Sequence, residues 1–218
     1  MYGKTGFMVV KIDMSKAYDQ VELSFLKAVM KKLGFERQWI NLIMMCASIA
    51  QFSILINGVP TRKITHSRGI RQGDPISPYL FIFCAEALRS MLSHADRRGT
   101  LRGAPTSKKK PQLNYLFFDD DSLLFCRADL SHWNRLSSIL KIYERASGQK
   151  LNTSKTTIYF SRNTSMEDHD AILQVAAIPK SQRYDTYLGL LALVGKSRVK
   201  EFKSIVDRIE KKASRLEA

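Results

Sequence analysis

The chain has 218 residues, of which 44% are hydrophobic and 25% charged, enough apolar content to bury a substantial core in one or two domains. Its 35 Lys and Arg against 20 Asp and Glu give a formal charge of +15, which suits an acidic partner such as nucleic acid. No secretory signal or membrane-length apolar run is visible, and Cys46, Cys84 and Cys126, without zinc-ligand spacing and set among apolar neighbours, read as reduced core residues of an intracellular protein.

The first predicted element is a strand, because Gly6-Phe-Met-Val-Val-Lys-Ile-Asp13 is a short apolar, β-branched run ending in a carboxylate. Such a terminal carboxylate faces a crevice in many α/β sheets, but Asp13 or Asp19 could equally cap the helix that follows. That helix is predicted over residues 21–33, with Val21, Phe25 and Val29 on one face and Gly34 as its stop. A second is predicted over 36–50. Residues 52–57 and 61–66 flank Gly58-Val-Pro60 and predict a hairpin. The glycines and prolines of Arg68-Gly-Ile-Arg-Gln-Gly-Asp-Pro-Ile-Ser-Pro78 make a loop whose backbone a substrate could approach closely. Ser77 and Pro78 then read as N-cap and first residue of a helix over 78–94.

A loop rich in Gly, Pro and Lys over 99–111 leads to Asp119-Asp120-Asp121, at the tip of a predicted hairpin between apolar runs 113–118 and 122–126. Adjacent carboxylates repel unless a cation or strong solvation compensates, so the triplet is either part of a Mg²⁺ site or a solvated turn. With Asp13 it supplies carboxylates from two strands far apart in sequence, the shared cluster that two Mg²⁺ ions roughly 3.5–4 Å apart require for phosphoryl transfer. A helix over 131–146, a strand near 156–160, a short helix near 166–176, a strand over 184–194 and a basic amphipathic helix from about Ser197 complete the order. His66, His94, His132 and His169 form no ligand cluster. The order favours an α+β fold with helices on one face of an antiparallel sheet.

Three segments carry a resemblance. Val10-Lys-Ile-Asp-Met-Ser-Lys-Ala-Tyr-Asp19, residues 68–78 with Tyr79-Leu-Phe81, and Leu116-Phe-Phe-Asp-Asp-Asp-Ser-Leu-Leu-Phe125 resemble successive palm motifs of a reverse transcriptase. The type most similar is the enzyme of plant non-LTR (LINE-type) retrotransposons. Asn57-Gly-Val-Pro60, Cys84-Ala-Glu-Ala-Leu88, Ala146-Ser-Gly-Gln-Lys-Leu-Asn-Thr-Ser-Lys155 and Tyr187-Leu-Gly-Leu190 follow in the family's order and near its spacing.

The resemblance implies a polymerase palm over residues 1–195, with 196–218 as the start of a thumb or a connecting basic helix. It also implies fingers largely missing and a truncated thumb, which another polypeptide would have to supply. Asp13, Asp120 and Asp121 would bind Mg²⁺, or Mn²⁺ in its place, and Lys155 would protonate the pyrophosphate leaving group. Tyr18 would pack beneath the incoming sugar and exclude a 2′-hydroxyl. Gln72 and Gly73 would lie against nucleotide and template, and Tyr187, Leu188 and Gly189 would grip the primer. The implied partners are an RNA template, a DNA primer and a deoxynucleoside triphosphate, in the nucleus and away from membranes. Asp119 stands where the family usually has Ala, Leu191 where it has Pro, and Leu23 where Trp is frequent. Those departures point to a degenerate fragment inactive alone. The alternatives are a nonenzymatic basic nucleic-acid-binding module that keeps the palm fold, or a relative of group II intron maturases.

Overall fold

The computed structural model describes residues 5–48, 51–53, 55–60, 64–65, 68–105, 112–118, 121–178, 186–187 and 190–191. The chain divides into two compact units, Met1–Pro179 and Lys180–Ala218. The first unit opens with β1 (Phe7–Ile12) and β2 (Met14–Ser15), then α1 (Leu23–Lys32) and α2 (Arg37–Ser48). Four short strands follow: β3 (Gln51–Phe52), β4 (Leu55–Ile56), β5 (Val59–Pro60) and β6 (Ile64–Thr65). The long helix α3 (Ser77–Arg97) leads to β7 (Ala104–Pro105), β8 (Gln112–Leu113), β9 (Tyr115–Phe118) and β10 (Asp121–Arg127). Then come α4 (Leu130–Ser147), β11 (Lys150–Leu151), β12 (Thr157–Phe160) and α5 (Met166–Ala176). In the second unit, β13 (Thr186–Tyr187) pairs with β14 (Leu190–Leu191) as a small hairpin.

The main sheet is antiparallel throughout, in the order β12-β1-β10-β9. Alternation along β1 buries Met8, Val10 and Ile12 completely, and they meet Cys126, Leu124 and Ser122 on β10. This face packs under helices: Leu88 and Leu92 of α3, Trp133, Leu136 and Ile139 of α4, and Ile172 of α5 complete one core. A second core joins Leu26 and Met30 of α1 to Ile40 of α2, Ile70, and Leu80, Phe81 and Cys84 of α3. The observed fold is therefore the α+β arrangement expected, with helices backing one face of an antiparallel sheet.

Caps explain where the helices begin and end. Asp129 starts α4, its Oδ1 accepting the His132 amide at 2.9 Å, and Gly148 ends it at φ 78°. Ser165 starts α5 by accepting the Asp168 amide at 3.1 Å. The N-cap of α1 is Glu22, without a side-chain cap, so neither Asp13 nor Asp19 plays that part. Ser77 is not the cap of α3 but its first helical residue, with Ile76 at the cap. Asp74 explains the shift: its Oδ1 accepts the Ile76 amide at 3.1 Å and its carbonyl accepts that of Ser77 at 3.0 Å. The hairpin turn likewise falls at Asn57 and Gly58, both at positive φ, which leaves Val59 and Pro60 inside β5.

Burial alone would raise the Asp129 carboxyl, but hydrogen bonds from the His132 amide and ring outweigh it and hold the group below the ordinary aspartate range. A depressed folded value means the stabilisation is fully present above the unfolded value of about 3.9 and is lost as pH falls through the lower folded one. Asp129→Ala should cost about 1 kcal/mol at neutral pH. Urea midpoints of parent and variant should converge in acid; a constant gap would mean that the cap acts without its charge.

Cys84 and Cys126 lie in the core, as expected, whereas Cys46 is exposed on α2. Burial pushes the Cys84 thiol up to about 12, and burial reinforced by the Asp129 charge also raises Cys126. An aromatic disulfide reagent at neutral pH should therefore modify Cys46 rapidly and the other two only on unfolding. Rapid modification of all three would contradict the packing under the sheet.

Candidate active site

Asp13 leaves the end of β1 on the sheet face opposite the helical core, because it continues the alternation of Val9 and Lys11. Its backbone is fixed from the other end of the chain. The Asp13 carbonyl accepts the Asn152 amide at 2.8 Å, and the Asp13 amide lies 3.4 Å from Thr156 Oγ1. One residue later β2 pairs with β11, Met14 to Leu151 and Ser15 to Lys150. A turn closed by Asn152, whose carbonyl accepts the Lys155 and Thr156 amides at 3.1 and 2.8 Å, then carries Lys155 beside the end of β1.

After β2 the chain turns through Lys16, at φ 47°, and runs to Val21 as an irregular segment clamped on two sides. On one side, the Gly69 amide donates to the Val21 carbonyl at 2.7 Å and the Ile70 amide to the Tyr18 carbonyl at 2.9 Å. Gly69 is required here: its φ is +92°, and a Cβ would sit 2.6 Å from the Asp19 carbonyl oxygen. Arg68 reinforces the contact, its Nε donating to the Gln20 carbonyl at 3.0 Å and its Nη2 to the Gly148 carbonyl at 2.8 Å. On the other side, buried Gln149 donates through Nε2 to the Ala17 carbonyl at 2.8 Å and accepts the Tyr143 hydroxyl at 2.5 Å. Tyr18, so held, stacks on Phe81 of α3 with ring centroids 4.7 Å apart and planes inclined by 12°.

These elements enclose a cleft of about 510 Å³ lined by Asp13, Lys16, Tyr18, Asp19, Gln72, Asn152 and Lys155, with Met14, Ser15 and Ala17 between them. Four residues singled out in the sequence, Asp13, Tyr18, Gln72 and Lys155, thus share one space. Gly73, next to Gln72, has φ +91° and open space where a Cβ would stand. Lys16, Asn152, Arg68 and Gln149 were not assigned to the site. All four lie within the motif segments that carry the resemblance, which were their one signal in the sequence.

The pairing of β1 with β10 ends at Ile12 and Ser122, so Asp13 follows and Asp121 precedes the last paired residues of the ladder, Asp121 being the first residue of β10. Asp119 and Asp120 lie outside the described residues, as do Leu188 and Gly189 and the basic segment 192–218. The backbone of Tyr187 is in β13, paired with Leu190. Among the described residues no cluster of three or more His, Cys, Asp or Glu could hold a metal. In kind, the donors at the end of β1 fit a hard divalent cation, which prefers carboxylate oxygen. No described helix is long and apolar enough to cross a membrane.

Residues 3–192 match the family described as reverse transcriptase (RNA-dependent DNA polymerase). The Pol polyprotein of the type-1 retrotransposable element R2 from Popillia japonica is 32% identical over 153 residues, which are 70% of this chain and 24% of that protein. An uncharacterized mitochondrial protein of Arabidopsis thaliana is 48% identical over 68 residues, 31% of this chain and 56% of its own length. A 149 kDa protein of transposon TX1 from Xenopus laevis is 25% identical over 148 residues, 68% of this chain and 11% of that one. Among solved structures, telomerase from Candida albicans has a TM-score of 0.54 at 13% identity, over 73% of this chain and 28% of that one. Telomerase from Candida tropicalis gives 0.52 at 16% identity, over 90% of this chain and 30% of the other. The two telomerases share the fold, and the chain spans a minor part of each of these retrotransposon proteins. With the family match covering most of its length, this chain belongs to the reverse transcriptase family, as a domain whose relatives are Pol proteins of non-LTR retrotransposons.

Proposed function

We propose that the chain is the palm of an RNA-directed DNA polymerase, which extends a DNA primer on an RNA template. The observation that carries this reading is the cleft in which Asp13, Tyr18, Gln72 and Lys155 meet from separate segments of the chain. In the reaction the primer 3′-hydroxyl attacks the α-phosphate of a deoxynucleoside triphosphate, forming one P–O bond and breaking that to pyrophosphate. Asp13, Asp120 and Asp121 would together hold Mg²⁺ or Mn²⁺. A bound divalent pair activates the attacking hydroxyl and neutralises charge on the transferring phosphoryl group. The pairing of Ile12 with Ser122, the residues next to Asp13 and Asp121 in the chain, supports this ligand set.

Lys155 projects from an exposed turn at the cleft, where its ammonium can donate a proton to the leaving pyrophosphate. Tyr18, immobilised on Phe81, offers a rigid wall beneath the sugar, and such a wall rejects a 2′-hydroxyl by contact. Gln72 and the unencumbered backbone of Gly73 suit the base and template side. Tyr187, Leu188 and Gly189 are assigned to the primer terminus, an assignment supported by the pairing of β13 with β14. Residues 1–195 are read as palm and 196–218 as the approach to a thumb, with the work carried out in the nucleus.

The test is extension of a DNA primer on an RNA template by a protein that joins this chain to fingers and thumb segments, measured with and without Mg²⁺. Metal-dependent extension supports the reading. Duplex binding with a steep salt dependence but no extension under any metal would reduce the domain to a nucleic-acid-binding module.

A further inference from the structure

A second cleft, sharing no lining residue with the first, opens between α1, α3 and α4. It measures about 580 Å³, within the range of about 300–1,000 Å³ typical of ligand sites. Its floor is aliphatic, with Val29, Met91 and Ile139, and Leu33 and Ile142 at its margins remain 44% and 48% exposed. Its rim is cationic, formed by Lys32, Arg97 and Arg135 with His94 beside them. The carboxylate in this lining, Glu86, is already committed to the Arg89 guanidinium by paired hydrogen bonds. Arg135 Nε is buried and has no hydrogen-bond partner among the described residues, so this guanidinium is not satisfied from within the domain.

We propose that this cleft docks an acidic amphipathic helix from a partner polypeptide. Charge complementarity sets the sign of the partner: the rim is basic and its one acid is neutralised from within. The floor sets the partner's class. Apolar side chains spaced i, i+3 or i+4, and i+7 along a helix form a ridge that such a groove receives, and methionine adapts its shape to them. Single-stranded nucleic acid, by contrast, is held on aromatic platforms, and no Phe, Tyr or Trp lines this cleft. Acidic side chains flanking the ridge would reach the charged heads of Lys32, Arg97 and Arg135. The proposal is independent of the polymerase reading, because it needs neither Asp13 nor a metal.

The test uses the full 218-residue chain and a fluorescent helical probe of about 15 residues with leucines on one face and glutamates on the other. Anisotropy should show binding of this probe and little of a matched probe carrying lysines in place of the glutamates. Arg97→Glu combined with Arg135→Glu should weaken binding about tenfold or more. Ile142→Glu, at a half-exposed position that tolerates polarity, should also weaken it. A benzophenone on the apolar face of the probe should label α1, α3 or α4. Asp13→Asn should leave the affinity unchanged, so loss of polymerase chemistry and loss of docking are separable. Equal binding of both probes, affinity unaffected by these cleft substitutions, labelling elsewhere, or displacement of the probe from the cleft by an RNA oligonucleotide would overturn the proposal.

Discussion

Asp13→Asn should lower metal-dependent primer extension by about 10²–10³-fold in a protein that joins this chain to fingers and thumb, with duplex affinity changed far less. Asn preserves the size of the side chain and leaves the backbone bonds of Asp13 to Asn152 and Thr156 intact, so the end of β1 stays where it is. What disappears is one negative charge at the head of the cleft, where a divalent cation would act mainly on the transition state. Asp19 also lines the cleft but sits on the irregular segment rather than at a strand end, so Asp19→Asn should cost markedly less. Rates measured over a range of Mg²⁺ concentrations would decide the matter. Undiminished extension by Asp13→Asn, or an equal loss in both variants, would remove Asp13 from the ligand set.

Gln149→Leu should destabilise the domain by about 2–4 kcal/mol, since a buried polar group left without its partner costs about 1–3 kcal/mol. Gln149 is 1% exposed and uses both ends of its amide, and the Tyr143 hydroxyl it accepts also lies 3.3 Å from the Cys84 carbonyl. Burial raises the Tyr143 phenol well above its ordinary value, so it remains a donor at any pH the protein tolerates. A leucine of similar volume fills the space and leaves the Ala17 carbonyl unpaired. Urea unfolding would measure the loss, and hydrogen exchange at the Ile70 amide, which donates to the Tyr18 carbonyl, would report loosening of the clamped segment. Unchanged exchange at Ile70 would mean that Arg68 and Gly69 hold the segment without Gln149.

Much of the fold was legible because apolar periodicity reports burial. The runs that became β1, α3, α4 and α5 alternate or repeat at strand or helix spacing, and the structure forms them within a few residues of expectation. Errors arose where a local bond competes with the pattern. Asp74 moved the start of α3 by supplying the acceptor expected from Ser77, and Asn57-Gly58 took the turn because both residues tolerate positive φ. β2 and β11 are two residues each, too short to show any period, yet they set the Asn152–Lys155 turn beside Asp13. In the site, residues with chemistry of their own were found through motif order. Arg68 and Gln149 were not, because they work by donating to the carbonyls of Gln20, Gly148 and Ala17, and a backbone acceptor leaves no mark in a sequence. Cys46 was misplaced because an apolar neighbourhood in sequence does not distinguish the two faces of α2.

The pairing of β1 with β10 on one side and β12 on the other also has a bearing on synthesis. Within this domain β1 is made before either neighbour, and it acquires β10 only after the chain has reached Arg127 and β12 only after Phe160. At ordinary translation speeds the interval to Phe160 is on the order of ten seconds, during which at least one hydrogen-bonding edge of an apolar strand stands open. The helix pair α1 and α2 can form meanwhile, but Asp13 has no fixed position until the last strand arrives. A nascent chain arrested before that point would expose an unpaired apolar strand edge, so this domain should depend on chaperone cover until β12 is made far more than its finished, closely paired sheet suggests.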